Sequence, residues 1–215
     1  MAKLSVTPPG TAVFPHLREA DEYEGKRNYK VTIKLPADCP STQQLIDKLE
    51  AIRDKYWATD DEVKKKFNVK QRAAMKPHPV FREETDDEGN ETGYLLFSAS
   101  CAEGFQDKRT GKFVSLAPQI VDAKRKPLPD DIDVWGGSTL KIAYAPFCWA
   151  RGNPIWAYGV KMRLRAVQVI ELRSGGGASS AFDVEEGFEA EDAPAPSRSA
   201  SEEVFDPSAD DNDDF

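Results

Sequence analysis

The chain has few of the side chains that most often carry chemistry. Its only histidines are His16 and His78, each beside proline in an irregular stretch. No glycine-rich phosphate loop, GxSxG elbow or metal-ligand cluster accompanies them. The acidic residues crowd toward the C-terminus, where nothing would hold two carboxylates at a catalytic separation. An enzyme is therefore the weaker class of reading, and no cofactor is expected. The three cysteines, Cys39, Cys101 and Cys148, are scattered and form no CxxC pair, which argues against a disulfide framework or a zinc site and fits a reducing cytoplasm. No apolar run approaches the roughly 18 residues of a membrane span. The N-terminal Met-Ala-Lys-Leu-Ser lacks the apolar core of a signal peptide. A soluble intracellular protein is expected, with no membrane partner.

Charge is present but unevenly placed. From Ser174 onward there are 13 acidic residues and one basic residue, Arg198, a charge of −12, so residues 1 to 173 carry +4 within a total of −8. The sequence pI of about 5.0 averages a mildly basic domain with a strongly acidic tail. Such asymmetry points to a nucleic-acid partner and an acidic arm. The division expected is a folded domain over residues 1–173 and a tail over 174–215. The tail is rich in Gly, Ala, Ser, Pro and acid, cannot bury enough apolar surface to offset its ordering entropy, and is expected to be disordered.

Within the domain, residues 1 to 28 read as an irregular arm because Pro8, Pro9, Gly10, Pro15 and Gly25 break any period. Tyr29, Val31, Ile33 and Leu35 then alternate with Lys30, Thr32 and Lys34, the pattern of a half-buried strand with a basic outer face. Ser41 or Thr42 is placed to cap a helix carrying Leu45, Ile46, Leu49, Ile52 and Tyr56. Thr59 with Glu62 reads as the capping box of a second helix, whose Lys64, Lys65 and Lys66 read as a wet face. Strands are expected over Tyr94–Cys101, Phe113–Val121, from Leu140 through Ile142 and Tyr144, and over Tyr158–Leu172, the last with a bulge near Ala166 and Val167. The sum is a mainly β fold: a five-stranded barrel of the oligonucleotide-binding type, with one or two helices inserted after the first strand.

Basic and aromatic side chains are interleaved in two places. Phe105 and Phe113 flank Lys108, Arg109 and Lys112, and Tyr144, Phe147, Trp149, Arg151, Trp156 and Tyr158 crowd the approach to the last strand. Single strands are gripped by neutralised phosphates and by bases stacked on rings. Tyr144 shares a face with Leu140 and Ile142 and reads as core. Phe147 and Trp149 lie past Pro146, where the chain leaves the regular strand, and Trp156 is expected to be exposed in the loop of Gly152, Asn153 and Pro154. Lys161, Arg163 and Arg165 form either a nucleic-acid-facing row or an ordinary solvated surface. Lys124, Arg125 and Lys126 either contact phosphate or keep a turn soluble. The tail closes with Asp210, Asp211, Asn212, Asp213, Asp214 and Phe215, a ring and a terminal carboxylate on a negative tether. That ending suits docking in a basic pocket with an apolar floor, and its charge could compete with a nucleic acid for the domain's basic groove.

Three stretches carry a resemblance: Gly104-Phe105-Gln106-Asp107-Lys108 before a turn, Val121-Asp122-Ala123-Lys124 after a strand, and Gly136-Gly137-Ser138-Thr139-Leu140-Lys141 opening the next. With the terminal Asp213-Asp214-Phe215, they resemble the single-stranded DNA-binding proteins that serve DNA replication and recombination in tailed bacteriophages. The resemblance implies an oligonucleotide-binding barrel with a packed helix and sequence-independent binding of single strands in the cytoplasm of an infected bacterium. It also implies a tail that contacts the phage DNA polymerase and other replication proteins and tunes homodimer formation and DNA access. The rival reading is an interaction protein whose acidic tail imitates DNA while the barrel binds none. The positive charge of the domain speaks against that rival, since a mimic gains nothing from a basic groove.

Overall fold

The computed structural model describes residues 4–173. Five long strands form its frame: β2 (Gly10–Tyr23), β3 (Lys26–Pro36), β6 (Glu91–Ala102), β10 (Thr139–Arg151) and β11 (Ala157–Glu171). Their pairing closes on itself. Antiparallel ladders join β2 to β3, β3 to β6, β11 to β10 and β10 to β2, and a parallel pairing of β11 with β6 completes the ring. This is the expected five-stranded barrel, and closure removes the exposed strand edges of an open sheet. Short strands attach to it. β1 (Ser5–Val6) lies on β10, β4 (Lys76–Pro77) and β9 (Gln119–Val121) on β11, and β5 (Arg82–Thr85) on β6, while β7 (Gly104–Gln106) and β8 (Phe113–Ser115) form a separate hairpin.

The period-2 pattern fills the barrel. Val31, Ile33 and Leu35 from β3, Phe97 and Ala99 from β6, Leu140, Ile142 and Tyr144 from β10, and Leu164 and Val167 from β11 are each at most 1% exposed. Burying each large apolar side chain contributes about 1.5–3 kcal/mol. Tyr144 is core, as its face predicts. Where β10 meets β2, Gly10 is required by space: a Cβ there would come within 2.7 Å of Leu35 Cδ2.

Three helices, rather than one or two, follow β3. α1 (Pro40–Thr59) sends Leu45, Ile46 and Leu49 into the barrel core. Its N-cap is Cys39, not Ser41 or Thr42; Pro40 occupies the first turn, where its missing N–H costs nothing, and Thr42 is fully buried. The expected Thr59 capping box is also replaced. Thr59 belongs to α1 and donates its hydroxyl to the Lys55 carbonyl, while Asp60 caps α2 (Asp61–Lys66) by accepting from the amides of Glu62 and Val63. α3 (Val69–Ala74) is opened by a capping box of Asn68 and Gln71. Val63, Phe67 and Met75 form a second small core against which Trp57, Trp156 and Tyr158 pack, and the Trp57 ring stacks flat on Tyr158 of β11 with centroids 4.2 Å apart.

Two strand expectations need correction. Residues 1 to 28 are not an arm, because β2 runs through half of them and pairs with β3. Phe14 adopts φ +46°, the register slips between Val13 and His16 and again before Asp21, and Pro15 sits in the bulge, where it interrupts no ladder bond. The bulge moves the buried positions to Ala12 and Leu17, which hides the alternation. The stretch Phe113–Val121 is two strands. Pro118, which has no N–H, falls between exposed β8 and β9, whose Ile120 is buried against β11.

Candidate nucleic-acid interface

On β11 the inward residues Met162 and Leu164 are buried, and the outward Lys161, Arg163 and Arg165 are exposed. A register shift opposite Ala143 and Tyr144 leaves Arg165 unpaired, the bulge expected beside Ala166, and returns Val167 and Val169 to the core. The parallel ladder aligns Arg163 with Ser100 of β6, which in turn pairs with Lys30 of β3. Directly opposed residues share a face, so these three belong to one outer row. The next row carries Ser98 and Thr32, whose hydroxyls lie 2.8 Å apart.

The aromatic border comes from β10. Phe147 pairs with Lys161 and is 40% exposed, and the Arg163 guanidinium lies 3.5 Å from the centre of its ring. Trp149 pairs with Gly159 and lies across it: a Cβ at Gly159 would come within 2.6 Å of the indole. The Arg151 guanidinium sits 5.5 Å from the Trp149 ring centre, and His78 meets that ring edge-on at 5.4 Å. His78 is held from two sides. Its amide donates to Tyr158 O at 2.7 Å, and its carbonyl accepts from Arg53, a buried guanidinium on α1 that also pairs with Glu50 and Asp54. The result is a cleft of about 320 Å³ with Trp149, His78, Arg82, Lys161, Ser98 and Ser100 in its walls and Leu49, Leu96 and Met162 beneath.

Cation availability separates the two sides of this face. On β3, Lys30 is paired with Asp21 at 2.5 Å and Lys34 with Glu84 at 3.1 Å. Among the described residues, none of Lys108, Arg109, Lys112, Lys124, Arg125, Lys126, Arg151, Lys161, Arg163 and Arg165 is in an ion pair, so each is free to neutralise a phosphate.

The other anticipated residues lie apart from the cleft. Phe105, Lys108, Arg109 and Lys112 are exposed on the β7–β8 hairpin. Asp107 shapes its turn by accepting from the Arg109 amide and then from the Thr110 hydroxyl, and these bonds hold its carboxyl below the usual carboxylate range. Lys124, Arg125 and Lys126 form an exposed turn after β9, built on Asp122 and tied to Gln168 of β11. Trp156 does not face solvent as expected. It is half-buried in the second core with φ +47°, its carbonyl accepting from the Lys76 amide, and Ile155 is the exposed apolar residue of that loop. His78, Arg82, Ser98 and Ser100 were not foreseen. Asp210, Asp211, Asp213, Asp214 and Phe215 lie outside the described residues.

A closed barrel with unpaired cations in a row beside exposed rings has the equipment of a single-strand nucleic-acid binder. The family model "Single-stranded DNA-binding protein, Bacteriophage T7" matches residues 11–172, and the chain belongs to that family. Over 183 residues it is 28% identical to the single-stranded DNA-binding protein of Escherichia phage T7, covering 83% of this chain and 78% of that one. It is 27% identical over 164 residues to the protein of the same name from Enterobacteria phage T3, covering 74% and 69%. The crystal structure of the T7 protein superposes with a TM-score of 0.66 at 25% identity, covering 88% of this chain and 100% of the other. The single-stranded DNA-binding protein of bacteriophage Enc34, solved with single-stranded DNA, shares the fold with a TM-score of 0.55 at 16% identity, covering 81% and 89%.

Proposed function

We propose that the chain coats single-stranded DNA without sequence preference during phage DNA replication and recombination, in the cytoplasm of the infected bacterium. The observation that carries this reading is the unpaired row Lys161, Arg163 and Arg165 bordered by the rings of Phe147 and Trp149. Phosphates run along the cations while bases leave the stack to lie on the rings, each stacked base contributing about 1–3 kcal/mol. The hairpin residues Phe105, Lys108, Arg109 and Lys112 and the turn Lys124–Lys126 extend the contact, and Trp156 shapes the β10–β11 loop from behind. The family is one of DNA-binding proteins rather than enzymes, and the reading needs no cofactor. It also favours DNA binding over an inert barrel with a DNA-like tail.

The acidic segment ending in Asp213, Asp214 and Phe215 recruits replication proteins such as the phage DNA polymerase, competes with DNA while unoccupied, and influences homodimer formation. The test is fluorescence anisotropy of labelled single strands, with a duplex control, across a salt series for the full chain and for a chain ending at Arg173. Salt-sensitive binding that tightens on truncation is expected. Absence of binding by both at low salt would overturn the reading.

A further inference from the structure

A second cleft, of about 550 Å³, opens beside the bulge of β2. Its most prominent rings are Phe14, 79% exposed, and Trp135, 52% exposed. A bulky residue at φ +46° is a backbone outlier, and here it turns an aromatic ring out of a strand otherwise committed to the barrel. Trp135 is fixed nearby. Its neighbour Val134 is buried in the core, and Ala12 clamps the loop to β2, donating its amide to Ser138 O at 2.8 Å and accepting from the Gly137 amide at 2.9 Å. Two large apolar faces are thus held toward water by a rigid frame, which is costly unless something covers them.

The charge in the cleft indicates what that is. Lys34 and Glu84 both line it and are bonded to each other at 3.1 Å, and Glu84 also accepts from the Thr92 hydroxyl, so the wall offers little to a phosphate. A flat, uncharged ring system fits better. The cleft also continues the outer face already described, because Lys34 follows Lys30 and Thr32 along β3, and Thr32 bonds to Ser98 in the wall of the Trp149 cleft. Three strand steps separate β11 from β2, about 14 Å, a span of a few nucleotides. We infer that Phe14 and Trp135 form a second base-stacking subsite, occupied by an unstacked base of the same DNA strand that crosses the Trp149 cleft.

The inference rests on the DNA-coating reading, and the experiment keeps the two apart. Full-length protein is titrated with oligothymidylates of increasing length, alongside Phe14→Ala, Trp135→Ala, Trp135→Phe and Trp149→Ala variants whose folding is checked by circular dichroism. Affinity of the unaltered protein should step upward once an oligonucleotide spans both clefts. Phe14→Ala and Trp135→Ala should bind long oligonucleotides about ten-fold more weakly and short ones normally, with Trp135→Phe restoring most of the loss. A step that survives in both alanine variants overturns the inference. So does a change in sedimentation coefficient without a change in DNA affinity, which would make the cleft an interface between copies. If the unaltered protein binds no oligonucleotide of any length at low salt, the DNA-coating reading fails instead.

Discussion

Arg163 lies over the face of Phe147, its guanidinium carbon 3.5 Å from the ring centre, across the β10–β11 ladder. One residue suits a phosphate and the other a base, and each orients its neighbour. Phe147→Ala should weaken single-strand binding by about 1–3 kcal/mol, and Arg163→Ala should lower the slope of log affinity against log salt by about one. Anisotropy titrations of both variants and the double variant should show effects that do not add, because removing either frees the other.

Gly159 is where a methyl group should damage binding more than folding. Its Cβ would fall 2.6 Å from the Trp149 indole, so Gly159→Ala displaces that ring from the sheet. Gly159→Ala should retain a cooperative thermal transition yet bind short single strands several-fold more weakly, a difference that melting and anisotropy would resolve.

Arg53 acts on the cleft through His78. Arg53→Met leaves the His78 carbonyl without its side-chain donor and Glu50 and Asp54 without their shared partner. A stability loss of about 1–3 kcal/mol is expected in urea denaturation, with a reduced affinity for short oligonucleotides as the edge-on contact of His78 with Trp149 loosens.

Glu84 should titrate below the usual glutamate value, first because it accepts from the Thr92 hydroxyl and then because of Lys34. Its folded-state pKa lies below the unfolded one, so its contribution to stability is complete above the unfolded value and is lost as pH falls through the folded value. Carbon-detected NMR titration should show this, with Thr92→Val and Lys34→Met each raising the pKa.

The frame of this protein is legible wherever alternation is unbroken. Tyr29 to Leu35 and Leu140 to Tyr144 announce buried strands, and Lys161 to Arg165 an exposed basic face, because period 2 maps directly onto inside and outside. The signal fails where the chain leaves that period. The bulge at Phe14 and Pro15 disguises β2 as a loop, and Pro118 splits one apparent strand into two. Trp156 shows a different limit: a loop position suggests exposure, but Phe67 and Met75, far away in sequence, cover its ring. His78 and Ser98 meet only after the barrel has closed, so no local window of sequence brings them together.

The parallel pairing of Met162 and Arg163 with Ala99 and Ser100 has a consequence for synthesis. The ring is completed by β11, which pairs with both β10 and β6 and so closes the run β10–β2–β3–β6. Before β11 leaves the ribosome a nascent chain can pair β10, β2, β3 and β6, but that run is still open and the row of Lys161, Arg163 and Arg165 has not yet been made. The basic row and the closure of the ring therefore arrive together and late, and a chain terminated before β11 keeps the hairpin and turn cations without the row that borders the Phe147 and Trp149 rings.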